Sequence, residues 1–407
     1  MNQFEKYLPA IVINRPCYLQ KALAFKNSGL IKLFLGQRRV GKSYMLFQVM
    51  KEVQKLDTSA NLVYISKEHP DFQWLNDENS YLGYITSLKK QGDNYLFIDE
   101  VQEVEGFVKL LRGLLVTNEW NIWCTGSNAV LLSQDVAGLL SGRVITQEIH
   151  PLNYREFLTF HQLSDDKTAL EQYLRYGGLP HLMRLSLEDD VVYEYLKGIY
   201  ATILFKDVVA RHGLKNIYFL EQLVTYCADT TGSLLSAKKI SDFLVSQKIK
   251  IAPVRVLEYL RFLTEAFFLK RIRRFDLKGK RILEVGEKYY FADLGLRQSI
   301  IGFRVNDLSK ILENAVMLHM QSQGFQIYIG TLGQKEIDFV CERNHERIYL
   351  QVALRITDKT VFAREFGNLK MIDDNYPKYV VTFDDITGNT VEGIIHINLS
   401  EFLKIDF

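Results

Sequence analysis

Between residues 30 and 150 the apolar residues come in short unbroken runs, each closed by small or charged residues. Asn121 to Thr125 and Val144 to Ile149 read as further strands, while Leu30 to Leu35 and Tyr95 to Ile98 are runs of this kind. They predict strands buried on both faces, as in a parallel sheet. Past residue 150 the period changes. Tyr154 to Phe160, Ala169 to Tyr176 and Val191 to Val209 carry apolar residues three and four apart, which predicts helices alone. Gly177-Gly178-Leu179-Pro180 separates the second of these helices from the third. Asp207 and Arg211, four apart on the last, read as a plain surface ion pair.

Residues 213 to about 300 read as a winged helix-turn-helix. Ser236 to Leu244 supplies a short helix, and Pro253 fits the first turn of the next. On that second helix Val256, Leu257, Leu260, Leu263 and Phe267 form one apolar stripe, leaving Arg255, Glu258 and Arg261 partly outward. Arg271 to Phe275 and Arg281 to Val285 can then pair as a hairpin around Asp276 to Lys280. Lys270, Arg271, Arg273, Arg274, Lys278, Lys280 and Arg281 stand there against a single acid, Asp276. Such a wing suits a phosphate backbone, because each bound cation releases a counterion. Double-stranded DNA through Lys270 to Arg281 is one expected partner, and docking of another protein is the alternative. A solvated hairpin or charged interdomain face explains the same residues without a ligand.

The first predicted strand runs into Gly36-Gln37-Arg38-Arg39-Val40-Gly41-Lys42-Ser43, a complete G-x-x-x-x-G-K-[ST] loop. Its two glycines let the backbone turn tightly, so that successive N–H groups point at an anion. A helix beginning near Lys42 adds about half a unit of positive charge at the same place. Gly36 to Tyr44 are therefore the expected nucleotide-binding residues. Lys42 can reach the β- and γ-phosphates, and the Ser43 hydroxyl can hold Mg²⁺.

The second run ends in Asp99-Glu100 and the third in Gly126-Ser127-Asn128. Ends of strands are where open α/β sheets hold ligands. Asp99 is the expected Mg²⁺ partner with Ser43, and Glu100 the residue that orients and polarises water. Here the chain resembles the AAA-type P-loop ATPases. That resemblance implies a polar γ-phosphate sensor closing the third strand. Asn128 is the best match, Thr125 and Ser127 compete, and Ser127 or Asn128 as a helix cap is the alternative. It also makes Arg143, in Leu139-Leu140-Ser141-Gly142-Arg143, a candidate for countering phosphoryl charge. Pairing with Glu148 is the rival reading. The helices after the sheet resemble the small lid of the same proteins.

The last hundred residues place Glu313 in a helix from Lys310 to Gln323, then Lys335-Glu336-Ile337-Asp338-Phe339-Val340 and Ile348-Tyr349-Leu350-Gln351-Val352-Ala353. This resembles the PD-(D/E)xK nuclease fold of the uncharacterised domain that follows AAA-type modules in many prokaryotic ATPases. The resemblance makes Asp338 the metal carboxylate and Glu313 a possible helper. Gln351 stands where a second acid is expected, and Ala353 where the lysine is expected. Neither can do that work, so cleavage is not expected.

Composition narrows the remainder. At 407 residues and 47% hydrophobic, the chain has material for more than one core. A formal charge of +2 neither requires nor excludes nucleic acid. Cys17, Cys124, Cys227 and Cys341 lack paired spacing and the eight histidines lack metal-ligand spacing. Neither a signal-like start nor a run of 18 apolar residues is seen, so a cytoplasmic protein without a membrane partner is expected. The expected architecture is α/β: an AAA-type P-loop parallel sheet over 1–150, a helical lid over 151–212, a winged helix-turn-helix over 213–300, and an inactive restriction-endonuclease-like domain over 301–407. The expected activity is hydrolysis of ATP with Mg²⁺, by Lys42, Glu100, Asn128 and Arg143. A nucleotide-gated scaffold with negligible turnover and an ATP-dependent DNA nuclease are the alternatives, and oligomerisation is left open.

Overall fold

The computed structural model describes residues 3–132, 138, 140, 142–246, 249–356, 358–384 and 390–407. The chain packs into two compact units, Met1–His150 and Pro151–Phe407.

In the first unit five parallel strands stand in the order β2-β3-β4-β1-β5. They are β1 (Ile31–Leu35), β2 (Asn61–Ser66), β3 (Asn94–Asp99), β4 (Asn121–Gly126) and β5 (Val144–Glu148). Every residue of β1, β2 and β3 is buried, which accounts for their largely apolar composition. β2, Asn61-Leu62-Val63-Tyr64-Ile65-Ser66, was not among the predicted strands. It carries the same kind of apolar run and takes the edge beside β3 in full register, from Asn61 opposite Asn94 to Ser66 opposite Asp99. Helices α1 (Pro16–Leu23), α2 (Lys42–Leu56), α3 (Glu78–Ser87) and α4 (Phe107–Thr117) complete the unit.

Because all five strands are parallel, their C-terminal ends lie along one edge of the sheet. Leu35 pairs with Gly126, and Ile98 with Cys124, so the segments following β1, β3 and β4 emerge side by side.

One residue breaks the apolar rule. Lys32, the second residue of β1, is buried at 3% exposure, its ammonium bonded to Asn121 Oδ1 and 5.1 Å from the Trp123 ring. Burial lowers its pKa to about 8.

The second unit opens with helices. Tyr154–His161 and Lys167–Tyr176 start on Asn153 and Asp166, whose side chains accept from the N3 backbone N–H. Asp189–Thr202 continues into a π-helical segment, Ile203–Ala210. Within that segment Asp207 is 1% exposed and lies 3.9 Å from Arg211, so the expected surface pair is largely buried. Helices Ala237–Ser246 and Pro253–Glu265 form the expected helix pair. Val256, Leu260, Leu263 and Phe267 are buried, but Leu257 is 53% exposed. It stands about 100° round the helix from Val256, and Tyr259 and Phe262 fill the buried face instead.

A nine-stranded mixed sheet completes the unit, in the order β13-β14-β12-β11-β10-β9-β7-β8-β6. Its strands are β6 (Leu234–Leu235), β7 (Leu269–Asp276), β8 (Arg281–Phe291), β9 (Gln326–Leu332), β10 (Lys335–Arg343), β11 (Glu346–Val352), β12 (Lys378–Thr382), β13 (Thr390–Val391) and β14 (Ile394–Asn398). The expected hairpin is present as β7 and β8. It is not a free wing, because β7 pairs in parallel with β9, Arg273 opposite Tyr328 through Asp276 opposite Thr331. Among the described residues no helix is long and apolar enough to cross a membrane.

The buried ammonium of Lys32 has a measurable signature. Its native pKa lies below the unfolded value near 10.4, so between about pH 8 and pH 10 the unfolded chain binds more protons and stability rises with pH. Lys32→Met lacks that rise. In urea denaturation the stability difference between wild type and Lys32→Met is expected to change by roughly 2 kcal/mol in favour of wild type from pH 7 to pH 10. An unchanged difference would show that the ammonium is not buried as described.

Candidate functional site

The loop after β1 has the backbone its chemistry demands. Gly36 has φ of +145°, and a Cβ there would lie 2.3 Å from the Ile149 carbonyl oxygen, so no other residue fits. Gly41 has φ of +96° and immediately precedes α2, whose first residue is Lys42. Arg15, buried at 3% exposure, fastens the loop from outside: its Nη1 donates to the Val40 carbonyl at 3.3 Å and to the His150 carbonyl at 2.9 Å.

Four elements contribute side chains beside this loop. Asp99, closing β3, accepts at Oδ1 from Ser43 Oγ (2.9 Å) and from Thr125 Oγ1 (2.6 Å), and at Oδ2 from the Tyr64 hydroxyl (3.2 Å). One carboxylate thus joins α2, β2, β3 and β4. Burial and the neighbouring Glu100 raise its pKa, against the opposing pull of its hydroxyl donors and Lys42. Ser43 and Asp99 are adjacent hard oxygen donors, a set that suits Mg²⁺ held jointly with a phosphate.

Glu100 stands next along the chain in the left-handed region, φ +51° and ψ +58°, an uncommon conformation for a side-chain-bearing residue. Its N–H donates to Thr125 Oγ1 at 2.7 Å, which fixes the turn. Its carboxylate is 8% exposed and gripped at both oxygens, Oε1 lying 3.5 Å from Lys42 Nζ and Oε2 accepting from Gln102 Nε2. Burial pushes the carboxyl up, but Lys42, Gln102, Arg38 and Ser127 together hold it below the usual glutamate range. Lys42 also donates to the Gln37 carbonyl at 3.0 Å.

Gln37 is 2% exposed, and among the described residues neither end of its side-chain amide has a hydrogen-bond partner. Arg38 lies 3.9 Å from Glu68, while Arg39 is exposed with φ of +69°. Tyr44 is 39% exposed on the first turn of α2, its ring set edge-on to Phe47. Thr125, Ser127 and Asn128 are all buried. Thr125 touches both acidic residues, and Ser127 Oγ accepts from Gln102 Nε2 at 3.2 Å. Gln102, Tyr64 and Arg15 were not foreseen.

Residues 28–158 match a family described as an AAA domain, and residues 167–307 match a domain of unknown function, DUF8612. An uncharacterized protein of Haemophilus influenzae is 33% identical over 400 residues, 96% of this chain and 98% of its own. The chain belongs to its family. Uncharacterized protein MJ1544 of Methanocaldococcus jannaschii is 30% identical across 90% of this chain and 86% of its own. Among solved structures, the Walker-type ATPase PABY2304 of Pyrococcus abyssi matches at 17% identity and TM-score 0.44, covering 72% of this chain and 96% of that one. The ORC2 protein of Aeropyrum pernix matches at 12% and 0.43, covering 79% and 99%.

Within the AAA domain, Arg143 is far from the loop. It is exposed, and its carbonyl accepts from Ile31 N–H at the start of β1 (2.9 Å), whereas Gly36 follows the end of that strand. Four residues of parallel strand, about 13 Å, separate the two ends, so Arg143 cannot counter charge on a nucleotide in its own loop. Glu148 is at the far end of β5, 3.6 Å from His150 Nδ1, which removes the rival pairing as well. Leu139 and Ser141 lie outside the described residues.

In the second unit the basic hairpin is partly engaged. Lys270 is buried over the Phe267 ring, Arg271 pairs with Glu287 at 3.2 Å, and Arg281 Nε is 3.9 Å from Asp276. Arg273, Lys278 and Lys280 are exposed, and Arg274 is half buried. Farther on, Asp338 Oδ2 accepts from Val352 N–H (2.8 Å), and Gln351 Oε1 faces the Asp338 N–H (3.4 Å). Glu313 is drawn to Lys288 and Tyr290 of β8, two residues sequence reasoning did not connect to it. Ala353 is buried, its N–H bonded to the Val381 carbonyl.

Thr125→Val keeps the shape of the side chain but removes a donor to Asp99 and leaves the Glu100 N–H without its acceptor. Nucleotide-free protein carrying it is expected to lose about 1–3 kcal/mol in chemical denaturation. Wild-type stability in that variant would mean that these bonds do not organise the site.

Proposed function

We propose that the chain hydrolyses ATP with Mg²⁺ at the loop Gly36 to Tyr44. The observation that carries the reading is the meeting of Lys42, Ser43, Asp99 and Glu100 at the mouth of that loop, in a chain whose residues 28–158 match an AAA domain.

The arrangement of these side chains supports an order of events. Lys42 pairs with Glu100 across the mouth of the loop, so an arriving triphosphate competes for the ammonium. Transfer of Lys42 to the β- and γ-phosphate oxygens releases Glu100 Oε1 while Gln102 keeps hold of Oε2. Glu100, ionised at neutral pH, then has an open oxygen to accept a hydrogen bond from water and direct it at the γ-phosphorus. Thr125 holds the Glu100 turn, and Ser127 anchors Gln102, so the end of β4 reports to the water-orienting carboxylate through two side chains. Mg²⁺, held by Ser43 and Asp99 with the substrate, would neutralise phosphate charge. The unpartnered amide of Gln37 is free to meet a phosphate oxygen or bound water.

Asn128 stays a sensor candidate behind Thr125 and Ser127. Arg38, inside the loop, is better placed than Arg143 to counter charge in the same chain. Arg143 can do so only for a nucleotide on another copy. Regions 151–212, 213–300 and 301–407 serve as lid, winged helix and cleavage-incompetent nuclease-like region. DNA contact, if made, falls to Arg273, Lys278, Lys280 and Arg281. A reducing cytoplasm suits the free cysteines. The grip of Lys42 and Gln102 on Glu100 supports the second reading, a nucleotide-gated scaffold with very slow turnover.

Steady-state phosphate release from ATP separates these. Wild type is expected to turn over, Glu100→Gln to bind ATP yet lose about a hundredfold or more in kcat, and Lys42→Ala to lose binding. Gln102→Ala is expected to lower kcat about tenfold or more with KM little changed. Absence of turnover in wild type, with and without duplex DNA, overturns the ATPase reading. Fluorescence polarisation at about 50 mM salt checks the DNA reading, which fails without steeply salt-dependent binding.

A further inference from the structure

Two carboxylates in the second unit grip one cation, and a third stands within its electrostatic reach. Glu313 comes from helix Leu308–Ser322, and Glu336 and Asp338 from β10. Lys288, on β8, places its Nζ 3.0 Å from Glu313 Oε1 and 2.8 Å from Glu336 Oε1, with 5% of its side chain exposed. Tyr290 stands two residues farther along the strand, on the same face, and donates to Glu313 Oε1 too. The Asp338 carboxylate is held by the Val352 N–H and lies within electrostatic reach of the same ammonium. Gly232 closes the other side of Glu313: a Cβ there would be 3.2 Å from Oε2.

A nuclease centre built on Asp338 and Glu313 would need these oxygens to converge on a divalent ion with room for water. Among the described residues no three His, Cys, Asp or Glu side chains converge in that way. Glu313 and Glu336 converge instead on an ammonium, which has three N–H donors, is tethered to the chain and activates no water.

We propose that Lys288 supplies from β8 the positive charge that this cluster would otherwise take from a divalent ion, so that the native chain binds neither Mg²⁺ nor Mn²⁺ at Asp338. The lysine expected beside Gln351 is replaced by Ala353, and this one does a different job. It neutralises the acids and ties the hairpin strand β8 to β10 and to the helix carrying Glu313. The cluster is then a fastening between elements rather than a cleavage centre.

Mn²⁺ titration of the nucleotide-free full chain tests this, with free Mn²⁺ read by electron paramagnetic resonance and unfolding followed thermally. The proteins are wild type and Lys288→Ala, each with and without Asp338→Asn. Ion bound at the phosphate loop is insensitive to Asp338→Asn, so only the difference between paired proteins counts. Wild type is expected to show no Asp338-dependent binding. Lys288→Ala is expected to gain one Asp338-dependent site, its Tm rising on the order of 5 °C with Mn²⁺ about a hundredfold above Kd. Asp338-dependent Mn²⁺ binding by wild type overturns the proposal, as does a folded Lys288→Ala without such a site. If Lys288→Ala does not fold, the wild-type pair still decides by the presence or absence of that binding.

Discussion

The loop end of the first unit depends on a single buried carboxylate. Asp99 accepts from three hydroxyls that belong to α2, β4 and β2, so the phosphate loop's helix and two strands flanking β3 are tied to one residue. A buried carboxylate is costly unless its oxygens are occupied, and here neutral hydroxyls occupy them. Hydroxyl donors leave the negative charge uncancelled, unlike a salt bridge. Ser43 and Asp99 thereby present adjacent oxygen donors of the kind that suit a hard cation. The same arrangement sets Glu100, one residue on, into a left-handed turn that points its carboxylate toward Lys42.

The sequence was most informative where chemistry and backbone geometry coincide. The octapeptide Gly36 to Ser43 implies a strand, a turn and a helix start because each residue has a stereochemical job there, and the acids closing β3 follow from parallel packing. Reading was weaker where packing alone decides. β2 has an apolar run like its neighbours but ends in no chemistry, and it drew no notice. Leu257 looked like part of a stripe because apolar residues surround it, yet a step of 100° places it outside. Arg143 was judged by its nearness in sequence to a strand; the direction of that strand puts it at the wrong end of the sheet.

Long-range polar contacts were the least legible. Nothing local marks Gln102 as a clamp on Glu100, since the contact exists only because β3 and β4 end side by side. Lys288 is likewise an ordinary basic residue in a strand until β7 pairs with β9 and brings the hairpin against β10. That parallel pairing also changes the meaning of the basic segment. A wing that contributes a central strand to a nine-stranded sheet has its backbone groups engaged on both sides of β7. The turn at Lys278 to Lys280 and the outward side chains remain to meet a partner, while Arg271 is paired with Glu287 and Lys270 is buried over Phe267.

Arg15 adds a mechanical property to the loop. One guanidinium nitrogen holds the Val40 carbonyl, inside the phosphate loop, and the His150 carbonyl, at the last residue of the first unit. At Gly36 the Ile149 carbonyl lies so close that a methyl group cannot be inserted. The loop and the outgoing peptide are thus held together at two points. The conformation of the phosphate loop is thereby tied to the Ile149 and His150 carbonyls, the last two of the first unit.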